Sequence, residues 1–122
     1  MTLADSLAVM SEGHFLQIGD PKNLYRRPVN QRGANFLGRS NWIVGTIEGS
    51  DRVRMALCAL TIPSCERFAA GDAVSLGIRP KWVDLKAGMN DAGVVAGQVV
   101  CCTFLGESVV YQVSVGSSTL IR

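Results

Sequence analysis

A chain of 122 residues with 48% hydrophobic and 18% charged side chains has room for one domain, or one small domain with an appendage, and is too apolar to be a disordered polymer. No apolar run approaches the roughly 18–20 residues that span a bilayer as a helix, and the N-terminus lacks the basic-then-apolar layout of a signal peptide, so a cytoplasmic location is expected. The net charge of +2 sits in the first third, where Lys22, Arg26, Arg27, Arg32 and Arg39 outnumber the acids; the remainder is balanced.

Residues 7–10 (LAVM) and 15–18 (FLQI) are short apolar runs separated by Ser-Glu-Gly-His, the mark of a β-hairpin, with Gly13 free to take the positive φ of a tight turn. Gly19 closes the second strand. Asp20-Pro21 then supplies an N-cap and a first-turn proline for a helix. Pro28 stops that helix by about Arg27. Asn30 caps a second short helix ending at Gly38, with Phe36 and Leu37 as its small apolar patch.

From Asn41 onward the pattern changes to period two. Val53, Met55 and Leu57 alternate with Arg52, Arg54 and Ala56; Val74, Leu76 and Ile78 alternate with Ser75 and Gly77; Val109, Tyr111, Val113 and Val115 alternate with Val110, Gln112 and Ser114. Turn signals separate these runs at Gly49-Ser50-Asp51, Gly71-Asp72, Asn90-Asp91, Gly106 and Gly116-Ser117. Short strands at this spacing predict a mainly β fold, a small barrel or sandwich, with Gly45 and Gly97 as bulges that turn its corners. The change of texture near residues 39–42 predicts two parts, 1–40 and 41–122. Thr119 to Arg122 reads as the start of a strand, so the barrel is expected to be cut short at its C-terminal end.

Catalytic chemistry is sparse. There is no G-x-x-x-x-G-K-[ST], no G-x-G-x-x-G and no H-E-x-x-H. The single histidine, His14, falls at the hairpin turn, a poor place for a general base, and Asp72, Asp84 and Glu107 have no spacing that pairs them. Cys58, Cys65, Cys101 and Cys102 form no C-x-x-C unit, and the adjacent pair on a strand points to opposite faces, so reduced structural thiols are expected and no metal site. An OB-like barrel raises the question of nucleic acid, which needs exposed aromatics interleaved with basic residues. Trp42, Phe68, Trp82, Phe104 and Tyr111 lie mostly in apolar patterns of a neutral region, which favours core packing and no nucleic-acid partner.

The run LAVMSEGHFLQIGDPKNLYRRPVNQRGANFLG resembles the C-terminal end of the nucleotide-binding subunit of ABC importers. Asp5, Val9, Met10, Gly13, Gln17, Gly19, Pro21, Leu24, Tyr25, Pro28, Phe36, Leu37 and Gly38 fall in register with D-R-I-x-V-M-x-x-G-x-I-x-Q-x-G-x-P-x-x-[IL]-Y-x-x-P and a short helix ending F-[IL]-G. GDAVSLGIRP (71–80) resembles the signature of the transport-associated OB domain, TOBE, and Val95, Gly97, Val99, Phe104-Leu105-Gly106 and Tyr111 resemble its later half. Ser6 and Lys81 depart from the pattern, which has arginine and glutamate there. FLGRSNWIVGTI most resembles the F-[IL]-G-x-x-N-x-x-x-G junction of polyamine importers, and ferric-iron and sugar importers carry similar junctions.

The resemblance implies an OB-like TOBE barrel preceded by a hairpin and two short helices left from the nucleotide-binding domain. It implies an accessory, regulatory and dimerisation role in a subunit that couples ATP hydrolysis to solute uptake, with ATP and Mg²⁺ in the parent and no cofactor, metal or catalytic residue in this stretch. Implied partners are a second copy, paired through the TOBE domain or by strand exchange, and, for the parent, permease subunits and a solute-binding protein at the cytoplasmic face of the inner membrane. Residues 1–38 would rest on the ATPase domain and expose apolar surface without it. Arg79 and Pro80 are the candidate regulatory or interface residues, against the plainer role of an arginine stem packed on the barrel with its head on a loop carbonyl. The alternative is a free-standing small-ligand or oxyanion-binding OB-type module.

Overall fold

The computed structural model describes residues 4–56, 58–62, 67–88 and 94–122. The chain divides into two compact units, Met1–Ser40 and Asn41–Arg122.

In the first unit, β1 (Leu7–Ser11) and β2 (His14–Gly19) form an antiparallel hairpin with Ser11 opposite His14. The two turn residues, Glu12 and Gly13, have φ of 52° and 79°. Two successive positive φ values are what a two-residue turn needs to follow the strand twist. Glycine meets that demand freely; Glu12 meets it as the only non-glycine of positive φ among the described residues. A bulge follows, since Val9 faces Gln17 while Met10 faces Phe15.

Helix α1 (Pro21–Arg26) begins as its sequence requires, the Asp20 carboxylate accepting from the Asn23 N–H at 3.0 Å. Helix α2 (Gln31–Phe36) is capped the same way, Asn30 Oδ1 accepting from the Gly33 N–H at 2.8 Å. Val9, Pro21, Leu24 and Ala34 are buried apolar side chains of this unit. Gly19 lets Leu24 approach: a Cβ there would stand 3.0 Å from Leu24 Cδ1. Gln17 ties the hairpin to the segment between the helices, donating to the Arg27 carbonyl and accepting from the Val29 N–H, both at 3.1 Å.

The second unit is mainly β and OB-like in size and strand content. β3 (Asn41–Ile47), β4 (Arg52–Arg54), β5 (Ala59–Thr61) and β6 (Ala73–Ile78) form an antiparallel sheet in the order β5-β4-β3-β6. β7 (Gln98–Phe104), β8 (Val109–Val115) and β9 (Ser118–Ile121) form a second, in the order β7-β8-β9. Ile47 and Val53 are the centre of the core, with Met55, Ile62 and Val74 packed against them.

Several details differ from expectation. No described strand pairs across the two sheets, so they do not close into a barrel; a side-chain clasp described below joins them instead. Gly45 is not a bulge but lies in unbroken register opposite Val74. It is glycine because a Cβ there would meet Val53 Cγ1 at 2.6 Å and the Arg54 carbonyl at 2.9 Å. Gly97 precedes β7 and makes the same kind of close approach to Val113 Cγ1, at 2.7 Å, while the register shift falls between Val99 and Cys101. Of the predicted alternation at 52–57, Arg52, Val53 and Arg54 form β4, and Met55 and Ala56 lie beyond it; Leu57 and the Asn90-Asp91 turn fall outside the described residues. β9 is fully paired with β8, and Arg122 extends the ladder by exchanging both backbone bonds with Tyr111.

Candidate functional site

At the end of β6 the chain turns a corner. Arg79 is extended, and Pro80 opens a single 3-10 turn (Pro80–Trp82) in which the Arg79 carbonyl accepts from the Trp82 N–H at 2.9 Å and the Pro80 carbonyl from the Val83 N–H at 3.1 Å. Arg79 is only 4% exposed, and Pro80 is half-buried. A guanidinium is buried only when its donors are satisfied, and no buried side-chain nitrogen or oxygen among the described residues lacks a hydrogen-bond partner. The corner therefore presents its neighbours to solvent rather than Arg79. Lys81 is exposed, and its ammonium lies 5.7 Å from the ring centroid of Trp82, itself 54% exposed. That is the geometry of a cation–π contact.

The start of β3 carries the second feature. Asn41 is 4% exposed and uses its amide as a strand would use a peptide group: Nδ2 donates to the Ile121 carbonyl at 2.8 Å, and the Ile121 N–H donates to Oδ1 at 2.7 Å. One side chain thus joins the four-stranded sheet to β9. Next to it, Trp42 lies over its cross-strand partner Gly77, where a Cβ would stand 2.7 Å from the indole. Asn41 and Gly45 are the asparagine and second glycine of the junction pattern, and each has a packing reason for its identity. Sequence alone marked them as family signs without showing the clasp.

Around the core, Ile47, Val53, Ile62, Phe68, Val74 and Leu76 help line an open, mainly apolar hollow of about 350 Å³. Along its sheet, Glu48 is paired with both Arg52 and Arg54 of β4, the former at 3.3 Å.

Over 127 aligned positions the chain is 33% identical to the spermidine/putrescine import ATP-binding protein PotA of Pseudomonas fluorescens, an alignment covering 98% of this chain and 33% of that protein. It is 34% identical over 118 positions to PotA of Rubrobacter xylanophilus, covering 91% of this chain and 31% of the relative. The putrescine transport ATP-binding protein PotG of Escherichia coli is 26% identical over 129 positions, covering 99% and 34%. The chain resembles the C-terminal part of a polyamine-importer ATP-binding subunit. It spans about a third of the length of the curated relatives it matches. No protein-family model matches it.

The sequence holds no phosphate-binding loop, and no three His, Cys, Asp or Glu side chains among the described residues come together as a metal site. His14 is exposed at the first residue of β2. Asp72 accepts from the Ala69 N–H at 2.8 Å and belongs to a turn. Asp84 and Glu107 are exposed, and Cys58, Cys101 and Cys102 are free thiols.

What the surface offers instead is uncovered apolar area. In the first unit Met10, Phe15, Ile18, Val29 and Phe36 are exposed. In the second, Phe68, Trp82 and Phe104 are 52%, 54% and 73% exposed, so core packing, expected for most of the five aromatics of this unit, fails for three of them. Trp42 and Tyr111 are half-buried. Period two identifies a strand's apolar face; it does not say that another layer covers that face. Every residue of β7 is exposed. No described helix is long and apolar enough to cross a membrane.

Proposed function

We propose that the chain is the accessory end of an ABC importer's ATP-binding subunit, a regulatory and dimerisation domain whose parent couples ATP hydrolysis to the uptake of a polyamine. The observation that carries this is a match to polyamine import ATP-binding proteins that runs through both units, covering 98% of the chain in one relative. The first unit is then the trailing edge of the ATP-binding domain, and its exposed apolar side chains are the surface that domain covers. The second is the TOBE-type domain, which pairs with a second copy. The parent works at the cytoplasmic face of the inner membrane with permease subunits and a solute-binding protein, and binds no nucleic acid. Arg79 and Pro80 fix the exit of β6 and so hold Lys81 and Trp82 at the surface, where a regulatory contact would be made.

Hydrolysis is left to residues outside this stretch. Titration calorimetry of the chain with Mg·ATP is expected to give no heat of binding; micromolar affinity would overturn this division of labour. A free-standing oxyanion module makes a different prediction. The hollow beside Ile47 and Val53 offers an anion almost nothing to bond with, so molybdate and sulfate are expected to leave the melting temperature unchanged. A rise with either would favour that module.

A further inference from the structure

β3 runs between β4 and β6 and turns Ile47 to the core. Its alternate residues Trp42, Val44 and Thr46, with the adjoining Glu48, therefore point outward. The ladder sets what lies beside them: Thr46 between Arg54 and Ala73, Val44 beside Ser75, and Trp42 beside Gly77. The Glu48 N–H bonds to the Arg52 carbonyl, which carries the pairing one step further. The outward face thus has a charged end, Arg52, Arg54 and Glu48, and an apolar end, Val44 and Trp42, bordered by the short side chains of β6.

Both ends are unusual for a solvated face. The outward side of an antiparallel sheet is normally polar, yet Val44, on a central strand, is 75% exposed. At the other end one carboxylate serves two guanidiniums: Glu48 Oε2 lies 3.3 Å from Arg52 Nε, and Oε1 pairs with Arg54 Nη2. The arginine side chains stay 61% and 71% exposed while that of Glu48 is 22% exposed beneath them. Two guanidiniums carry more N–H donors than one carboxylate can accept. No other acid among the described residues pairs with either arginine, so a positive charge is left over.

We propose that this face docks an acidic segment of another polypeptide, whose carboxylates are taken by Arg52 and Arg54 while a neighbouring apolar side chain lies on Val44 and Trp42. Charge complementarity selects the occupant. Arginine forks match carboxylates in geometry as well as in charge, and arginine and tryptophan are the residues that most often carry binding energy at interfaces. Glu48 holds both guanidiniums before the partner arrives, so less side-chain freedom is lost on docking. A second copy fits poorly. Across a two-fold axis on this face, arginines would lie on arginines or on the apolar end of the other copy, with no acid to meet them. An anionic membrane is drawn by clusters of about four to eight basic residues, and this face supplies only Arg52 and Arg54. The face is small, so the contact is transient and its affinity micromolar.

The test follows the fluorescence anisotropy of labelled probes titrated with the 122-residue chain at low ionic strength. A glutamate–tyrosine copolymer is expected to bind, polyglutamate to bind more weakly, and a lysine–tyrosine copolymer not to bind. The double variant Arg52→Gln with Arg54→Gln is expected to weaken binding of the first probe about tenfold or more. Val44→Glu, which sets an acid of the chain's own beside the arginines, is expected to weaken it as well. It keeps both arginines, so it tests the face even where the double variant fails to fold. Lys86→Glu makes the same change in net charge as the double variant, in the segment after the 3-10 turn, and is expected to leave binding unchanged. Equal weakening by Lys86→Glu would overturn the site, because net charge alone would then account for the binding. No binding of the glutamate–tyrosine copolymer would overturn the docking surface altogether. Vesicles of phosphatidylglycerol and phosphatidylcholine, or a DNA duplex, bound more tightly than the copolymer and lost in the same double variant, would overturn the acidic polypeptide as occupant.

Discussion

The two sheets of the second unit share a strand pattern and differ in what covers them. β3 and β4 place Ile47 and Val53 in a packed centre at 2% and 0% exposure, while Val99 on β7, an equally apolar strand residue, is 52% exposed. An alternating sequence thus makes a face, and only topology makes a core. The four-stranded sheet is supplied with Met55, Ile62 and Val74 as packing partners; the face of β7 has no such layer among the described residues. The first sheet holds the core of this unit, and the exposed side chains of β7 leave the second as a surface.

The largest expected effect tests the covered side. Val53→Ala removes buried methyl groups from a site with no room to collapse onto, since Gly45 already sits against Val53 Cγ1. A loss of about 2–3 kcal/mol in urea unfolding is expected. A loss below about 0.5 kcal/mol, the range of an ordinary surface substitution, would mean that this sheet is no more a core than the other.

The joint between the sheets comes next. Asn41→Ala deletes both bonds of the clasp and leaves the Ile121 N–H and carbonyl without their partner. About 2 kcal/mol is expected, from two hydrogen bonds of about 1 kcal/mol each and the exposure of their mates to desolvation. Hydrogen exchange at Ile121 is expected to quicken in the same variant, and protection unchanged at that amide would show that β9 does not depend on the clasp.

This clasp also marks where sequence reading stops. Local chemistry was legible: Asp20-Pro21 and Asn30 start helices through bonds within three residues, Glu12-Gly13 sit in the hairpin turn, and Val74, Leu76 and Ile78 alternate as β6. The two glycines were noticed for the wrong reason, because a bulge and a close approach both require the absence of a Cβ. Asn41 and Ile121 are 80 residues apart, and nothing in either neighbourhood announces the other. The failure of the sheets to close, and the exposure of Phe68, Trp82 and Phe104, are likewise properties of how layers meet. Arg79 was selected as a charge at a strand end; its burial depends on the corner that Pro80 builds.

The smallest effect is the most discriminating. Val99→Ala is expected to change the stability of the dilute, reduced chain by no more than about 0.5 kcal/mol, because a side chain 52% exposed loses little contact with the protein when shortened. Set beside Val53→Ala, it makes one substitution on two strands and asks whether burial alone separates them. A large loss in dilute, monomeric chain would show that β7 is covered within a single molecule, and the distinction between the two sheets would fall with it.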